Sequence, residues 1–508
     1  MMRRLLIPAV ALACGLCTCA LAACGGSTPA APGKTTTLTL ASLVDVASFD
    51  PARSDVGDYV QYLQPAYDTL IRIEPDGSLG RDLATSWTYS DSNRDLRLTL
   101  RRGVRFSDGS PFTAAAVVAS LERFGKQNGP RASATASIAS VTAQGAHTVL
   151  ITLSQPDPAL LYNLGLVAGM IVNPKVPGAT LNADPAGTGP YVLDQAATTK
   201  GAVYTFTRNR YYFDPGAFPF DRIVIKPIAN GTAGLDALRT GQVDGEEGSI
   251  SEVSQAKAAG LTVSLTPGDW RGLFLQDRDG SKVPALGNVQ VRQAINYAID
   301  AQGILRSIDK GFGTRSTQIF YPGTQAYDPG LNAAYPYDPA KARALLRAAG
   351  YPRGFTLTMP DSAFAILGQY SAIVKQELGA VGITVKYLPT TTAEGVTPYL
   401  SGQFPAYVFS WGASNPWLDA SLLVAKDGGW NIYHAATPAI TTLLGQIPAL
   451  QGSAQNAAFR RLSADLVQQA WFDPWYVVDN VYFSSKSVKV TPQAEQAVPS
   501  IYNYRPAT

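Results

Sequence analysis

Beyond position 24 this chain of 508 residues contains no cysteine. Disulfides and thiol-bound metals are therefore excluded from the body of the protein. Histidine is almost as scarce, with His147 and His434 the only two, so a His/Cys metal cluster lacks ligands. An excess of one charge is also missing, since 41 Lys and Arg face 38 Asp and Glu. No run of five basic residues occurs, which argues against nucleic acid as a partner. After residue 24 no apolar stretch reaches the length of a membrane span. The nearest, 160–172, is broken by Asn163 and by glycines. Signatures of catalysis are absent too. Gly187-Thr188-Gly189-Pro190 lacks the Lys-Ser/Thr of a phosphate-binding loop, and no Gly-x-Ser-x-Gly elbow marks an esterase nucleophile. The carboxylates are scattered, and nothing singles out a glycosidase pair. No catalytic residue, metal site or cofactor is expected.

What is present begins at the N-terminus. All four cysteines, Cys14, Cys17, Cys19 and Cys24, lie in the first 24 residues. Met1-Met2-Arg3-Arg4, an apolar run from Leu5 to Leu21 and small residues before Cys24 form a secretory signal over residues 1–23. Leu21-Ala22-Ala23-Cys24 resembles the bacterial lipobox, in which the cysteine takes a diacylglycerol and becomes the new N-terminus. Cys24 is the expected lipidation site. Removal of the signal would leave 485 residues and take Arg3 and Arg4 with it, lowering the net charge from +3 to about +1. Attachment to a membrane would then rest on acyl chains and not on charge. Residues 24–35, rich in Gly, Pro, Ser and Thr, read as a flexible tether. The expected location is the outer face of the cytoplasmic membrane, in a periplasmic space or at the cell surface.

From Thr36 onward strand and helix signals alternate, which points to an α/β fold. Leu38 and Leu40 alternate with polar neighbours in a first strand, and Leu96, Leu98 and Leu100 do the same. Thr113 stands as the N-cap of a helix carrying Val117, Val118, Leu121 and Phe124 on one face. A longer helix is expected over Val289–Leu305, from Val291, Ala294, Ile295, Ala298 and Ile299. Asp338-Pro339 opens another that Gly350 closes. Trp411, Trp417 and Trp430 fall within twenty residues and enclose Ser414, Asn415, Pro416 and Asp419. Aromatic walls with a few fixed polar groups are how small-molecule pockets are made, so this loop is the best candidate for a ligand wall.

Seven motifs then fall in a familiar order. Ser48-Phe49-Asp50-Pro51-Ala52 is followed by Asp82-Leu83-Ala84-Thr85-Ser86-Trp87 and by the long run from Leu100 to Ala114, LRRGVRFSDGSPFTA. Gly187-Thr188-Gly189-Pro190-Tyr191, Leu238-Arg239-Thr240-Gly241-Gln242-Val243-Asp244, Val291–Asp300 (VRQAINYAID) and Tyr337-Asp338-Pro339-Ala340-Lys341-Ala342 through Gly350-Tyr351 complete the series. Together they resemble the extracellular solute-binding proteins of family 5, the dipeptide-, oligopeptide- and nickel-binding lipoproteins that serve ABC importers. The resemblance implies a two-lobed periplasmic-binding-protein fold (type II) with an inserted domain and a hinge. Lobe I would comprise 36–59, 186–268 and 479–508, the inserted domain 60–185 and lobe II 269–478. The chain would cross between lobes near Asp269–Leu273 and Val478–Val481. It also implies a non-enzymatic, monomeric receptor that passes a small-molecule or peptide ligand to an ABC permease and ATPase. A secreted hydrolase, or an adhesion or signalling protein on the same fold, is the reading from another class.

One departure bears on the ligand. Peptide-binding relatives carry W-x-x-D-Y-x-D-P, and that aspartate pairs with the peptide's α-amino group. Here Trp411-Gly412-Ala413 is followed by Ser414, then Asn415-Pro416-Trp417-Leu418. A serine cannot offset a buried ammonium. A ligand with an uncharged or blocked end is therefore expected, with Ser414 and Asn415 as hydrogen-bond groups. The alternative is a strict free-amine peptide receptor in which Asp419 takes the amine. Trp411, Trp417, Trp270 and His434 complete the candidate ligand contacts.

Overall fold

The computed structural model describes residues 36–361 and 365–507, so the signal, Cys24 and the tether lie outside the described residues. The largest sheet has nine strands, and two of them are unusually long: Thr262–Leu275 and Phe472–Ser484. They run antiparallel side by side, with Thr262–Pro267 facing Ser484–Asp479 and Trp270–Phe274 facing Val477–Phe472. Between Pro267 and Trp270 the register slips. On one side of this slip, Phe472–Ser484 pairs with Gly245–Gly248, which adjoins Thr37–Ser42, Arg222–Pro227, Tyr204–Arg208 and Tyr191–Leu193 in that order. On the other side, Thr262–Leu275 pairs with Ala406–Trp411, and Phe472–Ser484 with Gly313–Arg315. The sheet is thus two half-sheets sharing two strands.

Gly268 sits inside the slip because the strands approach closely there. A Cβ at this position would lie 2.4 Å from Asn480 Oδ1 and 2.9 Å from the Val478 carbonyl oxygen. The strand residues beyond the slip are buried almost without exception, as a strand covered on both faces requires. Two apolar clusters flank them. One is built from helices Val289–Ala298 and Pro339–Ala348 with their neighbours, the other from Trp270, Phe274, Tyr407, Phe459, Trp471 and Phe472 among others.

A separate antiparallel sheet orders Ala84–Ser90, Asp95–Leu100, Thr148–Leu153 and Ile138–Ala143. Leu96, Leu98, Leu100, Val149 and Ile151 alternate into its covered face, against the helix Ala114–Lys126. The hairpin tip Asp91-Ser92-Asn93 has φ of 49°, 52° and 67°, and Asn93 donates from Nδ2 to the carbonyls of Pro448 (3.0 Å) and Leu450 (3.3 Å). This tip therefore ties the small sheet to the segment that follows helix Pro438–Gln446.

The motifs have structural jobs. Asp50 caps the turn of Pro51–Arg53 by accepting from the Ala52 N–H, and it receives Arg123 of the helix Ala114–Lys126. Gly187 and Gly189 let the chain lie against Ala66 and Tyr67, where a Cβ would come within 2.2 and 2.4 Å of backbone atoms. Arg292 is buried and donates to the carbonyls of Leu286, Gln469 and Ala470, so it clamps backbone. Two local expectations need correction. The helix expected over Val289–Leu305 is two, Val289–Ala298 and Ala301–Ser307, because Asp300 takes an N-cap role and accepts from the Gly303 N–H at 2.8 Å. Thr113 precedes its helix in extended conformation, but its side chain makes no capping bond.

Candidate ligand-binding site

The strand Ala406–Trp411 ends where its partner reaches Trp270. The chain then turns through Gly412–Ser414 into a short helix, Pro416–Asp419. Asn415 is its N-cap and accepts from the Trp417 N–H at 2.9 Å, while Pro416 fills the first helical position, where no donor is needed. The helix continues into a π-type turn, Ala420–Val424. This geometry brings Asp419 back under the loop. Its Oδ1 accepts from Ser414 Oγ at 2.6 Å and from Trp411 Nε1 at 2.8 Å. Its Oδ2 is buried with no partner.

Asp419 is fully buried, and burial pushes its carboxyl up to about 7. The donors Ser414 and Trp411 pull it down, and the charge of Glu495 pushes it further up. A buried carboxylate normally has its lone pairs filled. This one keeps an unpaired oxygen. Asp419 itself lines neither cavity, but Ser414, which it holds, lines one of about 420 Å³ together with Gly412, Ala413 and Leu418 from the loop. Asp269 and Asn480 line it from the strand slip, and Tyr162, Asn163 and Glu495 close it from the other side. A second cavity, of about 600 Å³, shares Tyr162 and Glu495 and extends outward along Trp87, Tyr89, Leu161 and Leu450. Asn415 lines this outer cavity.

Of the sequence-derived candidates, Trp411, Ser414, Asn415, Trp417 and Asp419 are brought together on this one loop. Their roles divide. Trp411 stands edge-on to Trp430, with ring centroids 5.1 Å apart, and uses its N–H to hold Asp419. Trp417 packs on the same apolar cluster, and neither tryptophan lines either cavity. Trp270 is fully buried, stacked on Phe274 at 4.6 Å and 10°. It lies in the core behind the loop. His434 is exposed, with Nδ1 2.9 Å from the Lys426 carbonyl oxygen, and lines neither cavity. Ser414 does not stand alone as a ligand group, because its hydroxyl is already committed to Asp419.

Sequence reasoning did not find Tyr162, Asp269, Asn480 or Glu495. Tyr162 and Asn163 lie in an apolar stretch whose sequence says only that it is too short to span a membrane. Among the described residues no cluster of His, Cys, Asp and Glu is placed to hold a metal ion, and no helix is long and apolar enough to cross a membrane.

The profile of the bacterial extracellular solute-binding proteins, family 5, matches residues 79–431, well over half of the sequence. The chain belongs to that family. The glutathione-binding protein GsiB of Salmonella choleraesuis is 30% identical over 335 residues, 63% of each chain, so this match spans just under two thirds of the relative. GsiB of Shigella dysenteriae is 27% identical over 436 residues, 80% of this chain and 82% of that one. Among solved structures, the unliganded open form of the periplasmic murein tripeptide-binding protein MppA superposes with a TM-score of 0.81 at 22% identity, covering 94% of this chain and 99% of the other. NikA of Brucella suis, bound to Fe(III)-EDTA, gives 0.77 at 24% identity over 92% and 99%. At these identities the structural likeness bears on the fold, which is that of the two-lobed periplasmic binding proteins.

Proposed function

We propose that this solute-binding protein captures a small peptide-like solute bearing a free amine and delivers it to an ABC permease and its ATPase. The observation that carries the reading is the unpartnered Oδ2 of the fully buried Asp419. An ammonium supplies charge and up to three donors, and it is the group that a half-satisfied buried carboxylate accepts most favourably. This favours the free-amine alternative over an uncharged or blocked end. Ser414 takes part indirectly, holding the carboxylate that meets the ligand. Relatives named for glutathione and structural neighbours titled for a murein tripeptide and a bound peptide are consistent with a peptide-like class.

The two half-sheets joined by Thr262–Leu275 and Phe472–Ser484 support a hinge at the slip beside Gly268. Closure about that line would bring the loop 412–418 and the wall around Tyr162 together over the solute. The lipobox at Cys24 supports anchoring of the secreted body to the outer face of the cytoplasmic membrane. The test is calorimetry with a free tripeptide, Ala-Ala-Ala, against its N-acetylated form. Binding of the free form and loss of binding on acetylation is the expected result. Equal binding of both would overturn the role of Asp419.

A further inference from the structure

The charge around the two cavities is one-sided. Asp269 and Glu495 line the inner one, Asp157 and Glu495 the outer one, and Asp419 lies behind Ser414. Among the described residues the single basic side chain at either cavity is Arg131, and it is paired with Asp55 at 2.5 Å. Asp157 and Asp269 have donors of their own, Ser137 Oγ with the Ala159 N–H, and Ser410 Oγ. Glu495 does not share that position. Its Oε2 is buried with no partner, as is Oδ2 of the fully buried Asp419. The chain as a whole is nearly balanced in charge, so this concentration of acid is local.

Glu495 is also held in place. Its φ is +60°, a left-handed conformation that a non-glycine residue adopts at a cost and that often marks a functional position. On its N-terminal side, Gln493 donates to the Glu74 carbonyl at 2.6 Å, and the Ala494 N–H donates to the Pro75 carbonyl at 2.9 Å. Tyr162 and Glu495 both line the two cavities.

We infer that Glu495 is a second cation-recognising carboxylate, and that the preferred solute carries two positive charges, an amino end at Asp419 and a basic side chain at Glu495. The inference rests on the amine assignment to Asp419 made above. The basic group would enter where the inner and outer cavities meet, and its aliphatic stem would lie along the apolar surface leading to Leu161. A ligand of net negative charge would meet no unpaired cation at either cavity.

Calorimetry with Lys-Ala-Ala, Ala-Ala-Ala and Glu-Ala-Ala on the folded, lipid-free chain tests this. Wild type is expected to bind Lys-Ala-Ala roughly 10- to 100-fold more tightly than Ala-Ala-Ala, the scale of one charge-assisted contact, and Glu-Ala-Ala weakest. In Glu495→Gln that preference should disappear. Asp419→Asn should weaken both peptides and keep the preference. Equal wild-type affinities for Lys-Ala-Ala and Ala-Ala-Ala would overturn the Glu495 assignment and leave Asp419 standing. A Glu495→Gln protein that loses both peptides equally would also overturn it. Failure of wild type to bind any of the three would instead remove the amine reading and this inference with it. Should Glu495→Gln not fold, the wild-type preference for Lys-Ala-Ala must shrink as pH falls through about 6, where burial places the Glu495 carboxyl. A preference that holds down to pH 5 would refute the assignment.

Discussion

Replacing Asp419 by Asn separates a binding carboxylate from a structural one, because the two roles move stability in opposite directions. Burial lifts the Asp419 carboxyl from an ordinary 3.8 to about 7. A carboxyl raised on folding favours the native state below pH 3.8, and that contribution is lost as pH rises towards 7. At pH 8, where the native group is ionised, it opposes folding by about 4 kcal/mol, and at pH 5, where folding must take up a proton, by roughly 2. The substituted amide would keep an oxygen for Ser414 and Trp411, with no charge to bury. Its N–H groups would replace the unpartnered Oδ2, and an unmet buried donor costs about 1–3 kcal/mol. Asp419→Asn should therefore equal or exceed wild type in stability at pH 8, and its advantage should shrink by about 2 kcal/mol at pH 5. The same change should weaken a free-amine ligand by about 2–5 kcal/mol, the range for removing one partner of a buried charge pair. Thermal unfolding at the two pH values and calorimetry on the same preparations make the comparison. A variant that unfolds earlier than wild type at pH 8, or that binds normally, would refute the reasoning.

Ser414→Ala removes a donor that holds the Asp419 carboxyl down, so its carboxyl should rise further. The pH at which ligand affinity falls should move upward, and calorimetry from pH 5 to 9 reads the shift. Gly268→Val places a side chain against Asn480 and the Val478 carbonyl. We expect a loss of about 1–3 kcal/mol in thermal unfolding and a smaller decrease in radius of gyration on ligand addition, measured by small-angle scattering. Cys24→Ser should release the protein from membranes, since no basic patch offers a second attachment. Fractionation with a labelled-lipid assay checks this, and a mutant that stays in the membrane pellet contradicts the lipobox.

Much of the fold was legible because it is written in local chemistry. The alternation at Leu96, Leu98 and Leu100 sets the buried face of the small sheet, and Asp338 caps its helix through the Lys341 N–H as the Asp-Pro pair implies. The break at Ile299-Asp300 is hidden in the sequence because the apolar period runs straight through it. Only the competing cap bond to Gly303 shows that the helix restarts. The site was half legible. Tryptophan density drew attention to the loop that borders the candidate cavity, but density carries no direction, and the rings of Trp411 and Trp417 turn towards the apolar cluster. Motif alignment drew attention to Ser414 in place of the expected acid, whereas the fold returns an acid from five residues on. Glu495 left no trace in the sequence: it lies in an irregular stretch near the C-terminus and reaches the cavity through contacts with residues 74–77.

The cost of the site also bears on how a two-lobed receptor can release what it binds. Apolar clusters hold the two long strands and their flanking helices together, while Asp419 and Glu495 each leave a buried oxygen without a partner, and the charge of Glu495 pushes the Asp419 carboxyl up. A solute that satisfies both oxygens gains most when the two walls close on it, because lower local water content strengthens each charge contact. Conversely, separating the walls restores water to the carboxylates and removes much of what held the cation. On the proposed function, affinity and closure would be set by the same two oxygens. A permease that pulls the half-sheets apart at the Gly268 slip would lower affinity without touching the ligand itself.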